Sequence, residues 1–167
     1  MGPHRIDRQA LLAHLRVQFQ IDWFGAHGLP HWARVRVNGL QLAGATGANA
    51  HVVELFAFFH DSLRCNEHTD DGHGERGAEL AWRLRGRFFE AGDDEMALLE
   101  FACVHHSDGY RKADPTVMAC WDADRLDLGR VGIRPDPRYL CTEFARQPNT
   151  IAQAHRRALA WADKFIP

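Results

Sequence analysis

Residues 50–63, Ala-His-Val-Val-Glu-Leu-Phe-Ala-Phe-Phe-His-Asp-Ser-Leu, constrain the chain more than any other segment. A helix drawn through them from Ala50 to Leu63 is apolar nearly all round, and such a helix must be enclosed by others. Asn49 stands where an N-cap is needed. The segment ends on His60–Asp61, two ionic, metal-seeking side chains in a stretch of core composition. A buried, unpaired carboxylate costs several kcal/mol or takes up a proton, so the pair requires partners.

The remaining apolar spacing is helical almost throughout. Leu11, Leu15 and Phe19 share one face of a first helix, with Asp7 as N-cap. Pro30 suits the first position of a second helix, on which His31, Val35, Asn38 and Leu42 share a face. A polar loop from Cys65 to Gly72 precedes a helix through Glu79 and Leu84. Asp93-Asp94-Glu95 place negative charge at the start of the next, which runs to about His106. Pro115 opens a helix ending near Gly129, Arg134-Pro-Asp-Pro reads as a turn, and Thr150 to Phe165 is helical again. The only strand-like alternation is the short Val35-Arg-Val, so the fold class is all-α. No repeat or linker divides the 167 residues, which form one domain.

Composition removes several function classes. The hydrophobic fraction is 46% and the charged fraction 25%, as in ordinary soluble domains. A net charge of −2 gives no reason to expect stable nucleic-acid binding or capture by an acidic membrane. The N-terminus lacks the apolar core of a signal peptide and no apolar run approaches the roughly 20 residues of a membrane span, so a cytoplasmic location is the expectation. Cys65, Cys103, Cys120 and Cys141 are irregularly spaced and expected to be reduced. Histidine is the outlier: eight of the 11 lie between Gly25 and Ser107. Imidazoles flanked by carboxylates are what a transition-metal site requires.

Position on the helices selects among these groups. His60 lies on the stripe Val53, Phe56, His60, Leu63; Asp124 lies on Val117, Trp121, Asp124, Leu128. His105 follows Leu98 and Phe101, and His73 precedes Gly77, Ala81 and Leu84 by one turn. Four helices thus each aim an ionisable group inward. A core histidine satisfied by a carbonyl is the ordinary explanation of any one of them, but four converging is hard to attribute to chance. Asp122 and Asp127 fall off the stripe, and Asp122 is expected to pair with Arg125 on the surface. His4, His14, His51 and His155 read as solvated or packing residues.

The ordered set resembles the HD superfamily of metal-dependent phosphohydrolases. Gly28-Leu-Pro-His31-Trp-Ala-Arg-Val looks like the first histidine of an HD domain, and Phe-Phe-His60-Asp61 like the signature dipeptide after its buried helix. Asp122-Ala-Asp124-Arg-Leu is similar to the closing Ala-Asp-Arg-Leu pattern. Gly72-His73-Gly and Val104-His105-His106 resemble the elements of members with extra ligands. The resemblance covers residues 23–132, roughly two thirds of the chain, leaving 133–167 as a helical extension. It implies a bundle of about six to eight helices around the buried one. It also implies one divalent ion on His31, His60, Asp61 and Asp124, with Asp61 bridging to a second on His73 and on His105 or His106. Iron, manganese, zinc, nickel, cobalt and magnesium are all open, as is whether one or two ions bind.

Where many HD proteins carry a lysine, three residues after the aspartate, this chain has Arg64. An arginine grips phosphate bidentately and does not readily give up a proton, so its expected role is to position phosphate. His27 is a candidate for the mouth of the cleft, Glu67 and His68 for proton transfer, and Arg130, Arg134 and Arg138 for an anion-binding edge. The activity implied is attack of a metal-activated water on a phosphate mono- or diester, a nucleotide or related small phosphate, with a second ion about 3.5–4 Å away steadying the leaving group. Two other readings share the ligands: a di-iron oxygenase of the same fold, and a catalytically silent metal-containing binding module. Oligomeric state is open.

Overall fold

The computed structural model describes residues 5–165, with side chains described as far as residue 160, so His4 lies outside the described residues. The described helices are α1 (Arg8–Gln18), α2 (Leu29–Thr46), α3 (Ala50–Phe59), α4 (His73–Leu84), α5 (Asp93–His105), α6 (Pro115–Arg125), α7 (Glu143–Arg146) and α8 (Pro148–Phe165). Two short 3-10 turns, Leu128–Val131 and Pro137–Tyr139, complete them, and the described residues contain no strand beyond isolated bridges such as Ile6–Phe89.

As its composition demands, α3 is buried along its length and packs against α2, α4, α5 and α6. Its single acidic residue, Glu54, is buried too and is held by Arg8 Nε (2.6 Å) and Arg36 Nε (2.5 Å), which ties α3 to α1 and α2. The expected caps are in place: Asp7 accepts from the Ala10 amide (3.0 Å), and Asn49 from the amides of His51 (2.9 Å) and Val52 (3.2 Å). Leu11, Leu15, His31, Val35, Asn38 and Leu42 are all buried. The four cysteines are free. Among the described residues, no helix is long and apolar enough to cross a membrane.

Three expectations need correction. α3 stops at Phe59 rather than Leu63, and the chain tightens into turns in which the Ser62 amide donates to Phe59 O and the Arg64 amide to Asp61 O, each 3.2 Å. α6 likewise ends at Arg125, where the Asp127 amide donates to Asp124 O (2.9 Å) and leads into the 3-10 turn. Both tightenings re-aim the side chains just past the helix end. Asp122, expected on the surface, is fully buried: it accepts from the amides of Cys141 (2.7 Å) and Thr142 (2.8 Å) and from the Thr142 hydroxyl (2.8 Å). Residues 139–142 run back over α6, and Arg125 donates to Tyr139 O (3.0 Å) instead.

Two glycines let α4 come close enough to matter. A Cβ on Gly77 would lie 2.2 Å from Phe59 O, and one on Gly74 would lie 2.1 Å from Cys103 O. The first turn of α4 is therefore seated directly on the ends of α3 and α5. That is what carries His73 to the ends of those two helices.

Candidate metal centre

α2, α3 and α6 supply one triad of donors, His31, His60 and Asp124; the turn after α3 with the ends of α4 and α5 supplies another, Asp61, His73 and His106. Within each triad the donor atoms lie within 4.8 Å of one another. In the first, His31 Nε2 is 3.1 Å from His60 Nε2 and 3.3 Å from Asp124 Oδ1. In the second, His73 Nε2 is 2.9 Å from His106 Nε2 and 3.3 Å from Asp61 Oδ1.

Asp61 joins the two. Its Oδ2 is 3.5 Å from both His31 Nε2 and His60 Nε2, while its Oδ1 faces His73 and, at 3.6 Å, His106. The side chain is almost fully buried, and Oδ1 has no hydrogen-bond partner. A buried carboxylate oxygen left without a donor costs free energy unless a cation takes the place.

The histidines are oriented for the same purpose. His60 Nδ1 faces Phe56 O (3.0 Å), His73 Nδ1 faces Asp70 O (2.6 Å) and His106 Nδ1 faces Cys103 O (2.6 Å). A carbonyl only accepts, so each Nδ1 carries the proton and each neutral ring turns its Nε2 lone pair toward the cluster. Paired lone pairs at 2.9–3.1 Å repel unless a proton or a metal ion stands between them. Burial pushes His60 down to about 3, which resists the proton. Burial would raise Asp61, but His60, His106 and His73 outweigh it and hold the carboxyl well below its usual range. Asp124 is likewise lowered against its burial, by His31 and Arg130. His106 is lowered by burial but raised further by Asp61, for a net upward shift. Two ionised carboxylates and four inward Nε2 atoms are a donor set that suits one or two divalent transition ions.

The outer groups are unequal. His31 Nδ1 donates to Asp127 Oδ2 (2.7 Å), and Arg34 grips the same carboxylate through Nε (2.7 Å) and Nη2 (3.1 Å). Asp127 is buried and essential to the geometry, yet it lies off the α6 stripe. The signal that marks it is its place three residues after Asp124, beyond the helix end. Arg64 is buried, donating from Nε to Asn66 O (3.2 Å) and from Nη2 to His68 O, with Nη1 3.6 Å from Asp61 Oδ1. His27 pairs with Glu67, and its ring lies 6.4 Å from that of His31. Burial lowers His27 more than Glu67 raises it.

Two expectations fail here. Of the adjacent histidines, His106 faces the cluster, whereas His105 turns outward to Asp108 (2.6 Å). The stripe Leu98, Phe101, His105 is the outer one, since Phe101 is 45% exposed while Met96, Leu99 and Cys103 are fully buried. The anion edge reduces to Arg130, whose Nη2 is 3.7 Å from Asp124 Oδ1. Arg138 pairs with Asp136 on the surface, and Arg134 is exposed. His68 is exposed, and what it sends inward is the carbonyl that receives Arg64.

No family model and no curated protein matches the chain. Among solved structures, the crystal structure of a predicted HD superfamily hydrolase from an uncultured Thermotogales bacterium is similar, with a TM-score of 0.68 and 24% identity over 96% of this chain and 91% of that one. The chain thus has the all-α fold of that HD superfamily protein, the fold that the resemblance around His31, His60–Asp61 and Asp124 implied.

Proposed function

We propose that the chain is a metal-dependent phosphohydrolase that cleaves a small phosphate mono- or diester, with nucleotides the first class to test. The observation that carries this reading is the Asp61 carboxylate, buried between the triads with one oxygen turned to each and no hydrogen-bond donor on Oδ1. Divalent ions bound there supply Lewis acidity toward phosphoryl oxygens and a water acidic enough to attack near neutral pH. Asp61 holds the spacing of the two halves. Asp124 and the four histidines fix their outer corners, and Asp127 keeps His31 in the required tautomer. Arg64, anchored on Asn66 O and His68 O, presents Nη1 to a phosphoryl oxygen over the second half. The His27–Glu67 pair at the mouth gives a proton to the leaving oxygen and regains one from the attacking water.

Metal analysis of protein purified without chelator, beside Asp61→Ala, tests the assignment. The wild type is expected to hold two equivalents and the variant to lose them, with a fall in kcat/KM on the order of 10³-fold or more. Full metal loading of the variant sinks the ligand assignment. Hydrolysis of a nucleotide panel without O₂ supports the hydrolase, whereas O₂ consumption without hydrolysis by iron-loaded protein replaces it with the oxygenase reading.

A further inference from the structure

We infer that Arg130 is a specificity-determining residue that, with Arg64, grips a dianionic phosphomonoester from both ends of the metal centre; this rests on the hydrolase reading above. The two guanidinium groups are built alike. Arg130 donates from Nε to Ala26 O (2.9 Å) and from Nη1 to Asp127 O (3.2 Å), leaving Nη2 beside Asp124. Arg64 spends Nε and Nη2 on backbone carbonyls and leaves Nη1 beside Asp61 and His73. Their side chains are only 10% and 9% exposed. Neither is a waving surface arginine: backbone oxygens set the plane of each fork. Arg130 Nη2 lies 3.7 Å from Asp124 Oδ1, and Arg64 Nη1 lies 3.6 Å from Asp61 Oδ1 with one N–H on His73 Nε2 (3.3 Å), so each reaches the carboxylate of a different triad. Arg130 is bonded to Ala26 O, next to His27, and Arg64 to Asn66 O and His68 O, on either side of Glu67, so both guanidinium groups stand beside the His27–Glu67 pair.

The charge balance selects the substrate. Asp61, Asp124 and Asp127 are matched by Arg34, Arg64 and Arg130, and the histidines turn neutral lone pairs inward. Glu67 sits at the rim, 37% exposed and screened by solvent. Two divalent ions would therefore add about four positive charges that no side chain offsets, an expensive state in a buried site. A monoester, which carries nearly two negative charges above its second pKa of about 6, compensates more of this than a diester with one. It also offers three terminal oxygens, enough for the metal centre and both guanidinium groups at once, where in a diester one of the three is esterified.

The test compares metal-loaded wild type, Arg130→Gln and Arg130→Lys, with melting temperature and metal content as checks of integrity. Inorganic phosphate is titrated calorimetrically, and 4-nitrophenyl phosphate and bis(4-nitrophenyl) phosphate, which share a leaving group, are compared as substrates. Arg130→Gln is expected to weaken phosphate binding by about 10- to 100-fold and to lower the monoester-to-diester ratio of kcat/KM by at least about tenfold. Arg130→Lys keeps the charge but not the anchored fork, and should recover part of the binding without the preference. Phosphate binding unchanged in Arg130→Gln overturns the inference, as does a lysine variant that restores the preference in full. If Arg130→Gln loses its fold, the lysine variant alone decides. Should the metal-loaded wild type cleave neither ester and no nucleotide of the panel, the hydrolase reading fails, and the phosphate titration still shows whether Arg130 holds the anion.

Discussion

The two triads have the same composition, two histidines and an aspartate, but the molecule supports them differently. His31 and Asp124 project from α2 and α6 and His60 from the C-cap of α3, and His31 is backed by a buried carboxylate that Arg34 clamps. His73 and His106 are backed by the main chain, at Asp70 O and Cys103 O, and sit at helix ends beside a small cavity of about 130 Å³. A carboxylate behind an imidazole makes it a more basic ligand and can be removed by one substitution. A backbone carbonyl cannot be mutated away, and its aim depends on how closely α4 seats on its neighbours. The first half is thus held by side-chain chemistry at His31 and by the main chain at His60, whose Nδ1 faces Phe56 O, whereas both histidines of the second are held by chain path.

The largest effect that can break this comparison lies on α5. His106→Ala is expected to lose the ion of the second half and most of the activity, while leaving the first half loaded. His105→Ala removes an exposed partner of Asp108 and should change stability by no more than about 0.5 kcal/mol, with metal content intact. Metal stoichiometry by elemental analysis reads both. Loss of an equivalent in His105→Ala, with none lost in His106→Ala, reverses the assignment of the second half.

A smaller and one-sided effect is expected of Asp127→Asn, which keeps the shape but removes the charge behind His31. Affinity for one of the two ions should fall by about 10- to 100-fold and the other should not change. Competition with a chelator resolves the two classes of site. Equal weakening of both would mean that the halves are not independently supported, and that Asp61 transmits the loss.

The parts of this centre that were legible in the sequence are those that a helix repeats. His60, Asp124 and His73 each replace an apolar residue at a regular interval, and α3 is recognisable because only His51 and Glu54 on it are polar. What escaped lies where the repeat stops. Asp127 follows the shift from α-helix to 3-10 turn after Arg125, so the α6 stripe does not carry its direction. Asp122 is turned inward by amides about 20 residues later, in a stretch with no apolar rhythm long enough to read. His105 and His106 are adjacent on a helix whose outer face carries an exposed phenylalanine, so hydrophobicity does not tell inside from outside there.

The support of the first half carries a further, acid-sensitive element. Glu54 is buried on α3, and Arg8 and Arg36 lower its pKa by more than burial raises it. A carboxylate depressed in the folded protein contributes stability that is complete above its unfolded value, about 4.3, and is lost as pH falls through the folded value. Removing the charge with Glu54→Gln should therefore cost about 1–3 kcal/mol at pH 7. The gap between variant and wild type should close as pH drops below about 4. Urea titrations of the metal-free proteins across that range measure it, and comparison at each pH cancels the titration of the histidines common to both. A gap that stays constant down to pH 3 would mean that Glu54 contributes by packing rather than by charge. In that case the frame of α1, α2 and α3 holds the first half as neutrally as the main chain holds the second.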